Sequence, residues 1–376
     1  MDELTIVLPL KDRVAYTARW MEYANYVKLP FPILIADGGS DDSARRLLSD
    51  RSRFSNLTYE YIRYPHDENY RAYYSKILDA VNRVETPFAT MADNDDFLIA
   101  DCMLECVKFL KAHPDYIGCG GIEGICWLSP SPIGSRPEVP LYSGDVAWRC
   151  KRGTPSMEEK TAKERLSADH MEGSGTYYDV KRTEELRRLF HIVFDLNLCD
   201  LFLFEWLVSF LTCIDGKTKR LNRLYLVRQQ DSSGSSGALH DAQFGDWFGR
   251  MLVDSWSEDF NKFLSSVSNS LARMDNISEV EAREHVIKLY RLAVAPLVLS
   301  DLLDEPKIGI IAPSVFALAR HLVRLPEGAL KRIARKIYRN FKVVALDTQT
   351  FQVFRKPLAG ANRDMKSVLA FLAKRS

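Results

Sequence analysis

Short apolar runs and longer amphipathic stretches alternate through the first 120 residues. Leu4 to Pro9 is an apolar run of strand length, and Val14 to Val27 carries Tyr, Trp and Met at helical spacing. Ile33 to Ala36 is a second apolar run, stopped by the polar cluster Asp37-Gly38-Gly39-Ser40-Asp41-Asp42, and Ser43 to Ser49 reads as a short helix. Leu57 to Tyr64 is a third strand, with Arg71 to Val84 a helix behind it. Phe88 to Ala92 is a fourth, followed after an acidic cluster by a helix from Asp101 to Ala112. This strand–helix order predicts an α/β fold, Rossmann-like, with a mostly parallel sheet and helices on both faces.

The pattern then changes. Ser129 to Pro155 is rich in Pro, Gly and Ser and reads as a long excursion. Regular structure resumes near Gly175 to Val180, with a helix from Thr183 to Phe190. Asp200 to Thr212 is strongly apolar and of helical length, Lys219 to Arg228 alternates like a strand, and Gln229 to Leu239 reads as a flexible loop. From His240 to about Phe341 the spacing is nearly all helical. The expected division is a domain over 1–240, with a nucleotide-binding half over 1–128 and an acceptor half over 129–240, followed by a helical C-terminal region over 241–376.

Composition narrows the function. Fifty-one basic against 50 acidic residues leave a formal net charge of +1, which argues against a nucleic-acid partner. No run approaches 18 apolar residues, so no spanning helix is expected, and the acidic start Met1-Asp2-Glu3 is unlike a secretory signal. Seven scattered cysteines without a CxxC pair fit a reducing, cytoplasmic setting.

The candidate chemistry lies at the ends of the apolar runs. In an open α/β sheet, ligands bind beyond the carboxyl ends of the strands. The fourth run ends in Asp93-Asn94-Asp95-Asp96, and clustered carboxylates repel unless a cation or several donors compensate them. A hard divalent ion that also holds phosphate oxygens suits such a set. The first run ends in Pro9-Leu10-Lys11-Asp12-Arg13, a polar turn able to underlie a nucleotide. The second ends in Asp37-Gly38-Gly39, where glycine permits close backbone approach and Asp accepts from a base N–H or a ribose hydroxyl. Lys76 precedes the acidic run on a helix, in reach of a phosphate. Taken singly, each has a plain alternative: a solvated turn or helix cap for the acids, a tight turn for Asp37-Gly38-Gly39, a surface lysine for Lys76.

Taken in order, Pro9 to Arg13, Asp37 to Asp41 and Asp93 to Asp95 resemble the glycosyltransferases of the GT-A fold, most of all family 2, over roughly residues 4 to 230. The resemblance implies a nucleotide-sugar donor, a glycan or lipid-linked acceptor, and Mn²⁺ or Mg²⁺. It implies that Asp37 holds the base, Asp93 the ribose or metal, and Asp95 the metal bridging the diphosphate. Asp12 stands where the family often has Asn. The family's catalytic base begins a helix that leads through a Gly-x-Lys turn into a strand. Here that pattern precedes Gly216-Lys217, which selects Glu205, with Asp200 as runner-up. An acid among Phe202, Phe204 and Trp206 is desolvated, and its pKa rises toward a useful range for a general base. A structural pairing of Glu205 with a nearby arginine is the competing reading. Arg228 and His240 match the family's diphosphate-binding arginine and metal-binding histidine. The histidine is twelve residues past the arginine rather than about two, and a lone His is as readily a packing residue. The family points to bacterial surface polysaccharide or glycoconjugate assembly.

Two rival enzymes fit less well. A nucleotidyltransferase wants a glycine-rich loop after strand one, and Leu8 to Val14 holds no glycine; a HAD-like phosphatase wants its Asp-x-Asp after the first strand. A non-catalytic carbohydrate-binding protein is the third alternative. Finally, residues 320–342 carry eight Lys or Arg and one acid, with Leu330, Ile333, Ile337 and Phe341 on one helical face. This pattern suits peripheral contact with the inner face of an anionic membrane, or an ordinary helix packed on the domain.

Overall fold

The computed structural model describes residues 3–128, 146–150, 155–166, 175–230, 232, 234–304 and 359–373. The basic stretch over 320–342 and most of the excursion over 129–155 lie outside the described residues.

Strand β1 (Leu4–Leu10), helix α1 (Val14–Tyr26), β2 (Ile33–Asp37), α2 (Ser43–Ser49), β3 (Tyr59–Arg63), α3 (Tyr70–Asn82) and β4 (Phe88–Met91) follow the expected alternation. Strands β1 and β2 are almost wholly buried, which explains their unbroken apolar sequence. A two-residue strand β5 (Phe97–Leu98) and helix α4 (Ala100–Ala112) lead into β6 (Tyr116–Leu128), β7 (Val146–Cys150) and the short α5 (Ala162–Arg165). Then come β8 (Val180–Arg182), α6 (Thr183–Leu196), α7 (Leu201–Asp215) and β9 (Lys217–Gln229). The described remainder is helical: α8 (Ser236–Phe244), α9 (Trp247–Met251), α10 (Asp254–Asp275), α11 (Glu279–Asp304) and a last helix, α12 (Ala359–Ala373).

Among the described residues the strands form one sheet in the order β3-β2-β1-β4-β8-β6-β9-β5, with β7 paired to β6. The expected α/β, Rossmann-like fold with a largely helical C-terminal region is the one observed. The first four strands are parallel, as expected. The short β8 then enters antiparallel to both β4 and β6, so the second half is mixed rather than mostly parallel. Gly175 to Asp179, read from sequence as resumed regular structure, is a turn that delivers this strand.

Strand order sets the site. From β1 the chain runs outward through β2 and β3, then returns to place β4 on the other side of β1. The carboxyl ends of β1 and β4 therefore diverge at the point where the winding reverses, which in open α/β sheets opens a ligand crevice. Helix α7 is clamped by the C-terminal helices: Phe210 meets Phe263 of α10 at 5.5 Å and Trp206 meets Tyr290 of α11 at 5.6 Å. The last helix returns to the first half. Phe371 packs on Tyr23 of α1 at 5.4 Å, and Asp364 pairs with Arg223 of β9 at 2.6 Å. No helix among the described residues is long and apolar enough to cross a membrane.

Candidate active site

The turn after β1 is built from two non-glycine residues in the left-handed region, Asp12 at φ 55° and Arg13 at φ 54°. This conformation costs free energy, and it persists only where surrounding contacts hold it. Here they do. Asp12 Oδ1 accepts both the backbone N–H and the hydroxyl of Ser40, each at 2.7 Å, which ties the β1 turn to the β2 turn. Arg13 lies over the Tyr16 ring at 4.1 Å and donates to Asp95 Oδ2 at 3.1 Å and to Asn94 Oδ1 at 3.5 Å. Pro9 sits in β1 opposite Ala36, and Lys11 is exposed beyond it.

At the end of β2, Asp37 is buried and well supplied with donors. Its Oδ1 accepts from Gly39 N at 2.8 Å, and its Oδ2 from Tyr61 OH at 2.6 Å and Arg63 Nη1 at 2.9 Å. Gly38 has no room for a side chain: a Cβ there would sit 2.3 Å from Asp67 Oδ1. That carboxylate is the partner of Lys76. The sequence reading sends Lys76 to a phosphate, whereas the structure buries it, bonded to Asp67 and, at 2.8 Å, to the carbonyl of Leu10. Burial lowers the Lys76 pKa and raises that of Asp67, since each charge lacks water. Lys76 thus holds the end of β1 from beneath.

Past β4 the acids converge. Single carboxylate oxygens of Asp93, Asp95 and Asp96 lie within 4.8 Å of one another. Asp93 Oδ2 accepts from Tyr178 OH, and Asp95 Oδ2 from Arg13 and, at 2.6 Å, from Ser232 Oγ. Asp96 is fully engaged, by Arg228 Nε and Gln229 N, both at 3.2 Å. Asp93 Oδ1 and Asp95 Oδ1 accept from no described residue. Asn94 turns inward and donates to Thr17 Oγ1 at 3.0 Å. Behind the cluster, buried Arg19 donates to the Asp95 carbonyl at 2.7 Å.

The charges split as the contacts suggest. Burial, then the adjacent Asp95 charge, pushes Asp93 up, and burial pushes Asp96 well up. Asp95 feels burial too, but Arg13, the Ser232 hydroxyl and Arg228 outweigh it and hold it below the usual carboxylate range. Arg228 stays firmly charged, facing Tyr178, Asp96 and Asp93.

The site suits a divalent cation by its donors. They are hard oxygens, one from each of three carboxylates lying close together, and Oδ1 of Asp93 and of Asp95 accepts from no described residue; Mg²⁺ or Mn²⁺ prefers such ligands, completed by water or phosphate oxygens. Asp93 and Asp95 would hold the ion, with Asp96 fixing Arg228 beside it.

Helix α7 contributes differently from expectation. Asp200 caps its N-terminus, Oδ1 accepting from Leu203 N at 2.8 Å, while Oδ2 lies 3.2 Å from His240 Nε2. The other His240 nitrogen meets Tyr70 OH at 3.0 Å, and the ring is buried. Both nitrogens are therefore occupied, and His240, read from sequence as a metal ligand, is a joint between α3, α7 and α8. Glu205 is half-buried on α7. Its negative charge is among the influences raising the phenols of Tyr73, Tyr177 and Tyr178, after burial, which is the largest. It thus borders the aromatic wall that reaches Asp93 through Tyr178.

Several participants escape a sequence reading: Tyr178, Ser232, Tyr61, Arg63 and Arg19. Asp96 was visible in the acidic cluster, but its role, holding Arg228, was not. Tyr61 and Arg63 follow the β2 end through strand pairing, where Asp37 registers with Arg63. Tyr178 and Ser232 arrive from 85 and 137 residues away, with no local signal.

No protein-family model and no curated protein sequence matches this chain. Several solved structures are similar to it at low identity. S. aureus TarS 1–349 is 12% identical, covering 96% of this chain and 95% of that one, with a TM-score of 0.45. The same protein in complex with UDP-GlcNAc is 14% identical over 96% and 95%, at 0.47. The mannosyltransferase PcManGT from Pyrobaculum calidifontis, in complex with GDP-Man and Mn²⁺, is 10% identical over 92% and 87%, at 0.43. Likeness of this degree assigns no chemistry to the chain, and the functional reading rests on its own residues.

Proposed function

We propose that this chain is a glycosyltransferase of the GT-A type, resembling family 2, that moves a sugar from a nucleotide-sugar donor to a glycan or lipid-linked acceptor with inversion. One observation carries the reading: three carboxylates and two arginines meet at the winding reversal between β1 and β4, with a strand-end Asp beside it at β2. That arrangement suits a nucleoside diphosphate, base toward Asp37 and diphosphate toward Arg13 and Arg228.

The departing diphosphate oxygen gains negative charge as the glycosidic bond breaks. Arg13 and Arg228 are preorganised cations in a partly buried site and stabilise that charge without reorganising. Mn²⁺ or Mg²⁺ held by Asp93 and Asp95 would supply Lewis-acid stabilisation of the same oxygens. Glu205 takes the proton from the acceptor hydroxyl as its oxygen attacks the anomeric carbon from the opposite face. Glu205 is half-buried on α7, and its charge is felt by Tyr73, Tyr177 and Tyr178, the last of which bonds Asp93.

The test is donor turnover. A panel of UDP- and GDP-sugars, incubated with the protein and Mn²⁺, should release nucleoside diphosphate for one donor class and should stop doing so in excess EDTA. Calorimetry with the same panel separates binding from catalysis. Binding of no nucleotide sugar, with or without Mn²⁺, would overturn the reading.

A further inference from the structure

Tyr178 is buried behind the acid cluster, and its hydroxyl stands between two groups of opposite charge. It donates to Asp93 Oδ2 and accepts from Arg228 Nη2 at 3.2 Å. The same arginine nitrogen stops 3.9 Å from Asp93 Oδ2, beyond hydrogen-bond length. The guanidinium also lies 4.9 Å over the Tyr178 ring, which fixes its approach.

The phenol cannot easily move away. The Tyr178 carbonyl accepts from Thr90 Oγ1 at 2.7 Å and from Tyr225 OH at 2.6 Å, and Thr90 lies on β4, the strand that leads to Asp93. On the other side of the turn, buried Lys181 bonds the carbonyls of Thr176 and Tyr177, while Arg220 bonds Asp179 and the Gly175 carbonyl. Buried Lys181 and partly buried Arg220 thus shape the turn, a costly arrangement that rigidifies it.

We propose that Tyr178 is a positioning residue whose hydroxyl is a spacer: it keeps Arg228 from closing on Asp93 and so leaves Asp93 available to a divalent cation. This rests on the cation reading given above. A guanidinium in direct contact with Asp93 would compete with the ion for one carboxylate, because charge-assisted arginine–carboxylate bonds are among the stronger ones. The hydroxyl satisfies both neighbours at once. It takes Asp93 Oδ2 and leaves Oδ1 without a described donor, beside Asp95.

The experiment titrates Mn²⁺ alone into the full chain, followed by calorimetry and by the loss of the free Mn²⁺ resonance in electron paramagnetic spectra. Near-ultraviolet circular dichroism checks the fold of each variant. Tyr178→Phe should weaken Mn²⁺ binding by about 10–100-fold, the worth of the charge-assisted bond that the released Arg228 would make to Asp93. In an Arg228→Lys background, whose cation lacks the planar fork, the same change should lose most of its effect. Should Tyr178→Phe fail to fold, Arg228→Lys alone decides. The spacer account expects its Mn²⁺ affinity to be equal to or tighter than that of the wild type, and a loss overturns it. An unchanged affinity in Tyr178→Phe also overturns it, as does an equal loss in both backgrounds. A wild-type protein that binds no Mn²⁺ removes the cation reading and the spacer together. Wild-type binding with an indifferent Tyr178→Phe removes the spacer alone.

Discussion

Strands β2 and β4 both end in buried acid beside an arginine, yet the two ends differ in what they leave open. At β2 a single carboxylate, Asp37, has a described donor on each oxygen, from Gly39 on one side and from Tyr61 and Arg63 on the other. At β4 three carboxylates crowd together, and Oδ1 of Asp93 and of Asp95 face no described donor, while burial and the Asp95 charge raise Asp93. A strand-end acid that the protein itself satisfies is suited to accept one more hydrogen bond from a ligand. A crowded set with oxygens left over is suited to a cation. The difference lies in the donors around the acids, which no strand-end motif reports.

Substitutions can break this contrast. Glu205 belongs to neither strand end, so Glu205→Gln should lower kcat by about 10²–10⁴-fold and leave Mn²⁺ and nucleotide affinity nearly unchanged. Asp200→Asn, at a position that caps α7 and that Asn can also cap, should do far less. Reversal of these two in a turnover assay would move the base to Asp200. At the β4 end, Asp95→Ala should cost about 10²–10³-fold in turnover, the scale seen when one preorganised stabiliser is lost, together with measurable loss of Mn²⁺ in calorimetry. At the β2 end, Asp37→Asn should weaken nucleotide binding by about tenfold or more, the worth of a charged hydrogen bond, with Mn²⁺ affinity unaltered. Equal loss of Mn²⁺ in Asp37→Asn and Asp95→Ala would erase the contrast between the two ends.

A smaller effect concerns the turn behind β4. Burial lowers the Lys181 pKa to about 8. The unfolded lysine holds its proton to about pH 10.4, so between these values the unfolded state binds more protons and stability rises with pH. Denaturant unfolding between pH 8 and 10 should show a gain of roughly 2 kcal/mol from this residue. Lys181→Met should lack that slope.

How far the sequence reaches follows from the same physics. Strands β1, β2 and β4 were legible because each is short, buried and apolar, and β3, half-exposed, because it is rich in Tyr and Ile; the ends of β1, β2 and β4 were legible because polar residues cluster there. Strand β6 was not. Its glycines argue against a strand, yet Gly121 is required because a Cβ would fall 2.5 Å from the carbonyl of Arg223. Lys76 and His240 have a sequence context that suits ligand binding, and only packing reveals that Asp67 and Leu10 hold the one and Asp200 and Tyr70 the other. Asp12, where a family pattern suggests Asn, proves to be the tie between two turns, and Asn could hold Ser40 through one oxygen as well.

The most direct test of the central claim is a crystal soaked with a nucleoside diphosphate and Mn²⁺, with diffraction recorded at the manganese absorption edge. The account predicts one anomalous peak contacting the carboxylates of Asp93 and Asp95 and the diphosphate, between the ends of β1 and β4, with the base lying toward Asp37. A nucleotide bound in that crevice without a manganese peak, or a peak and nucleotide elsewhere on the molecule, would contradict it.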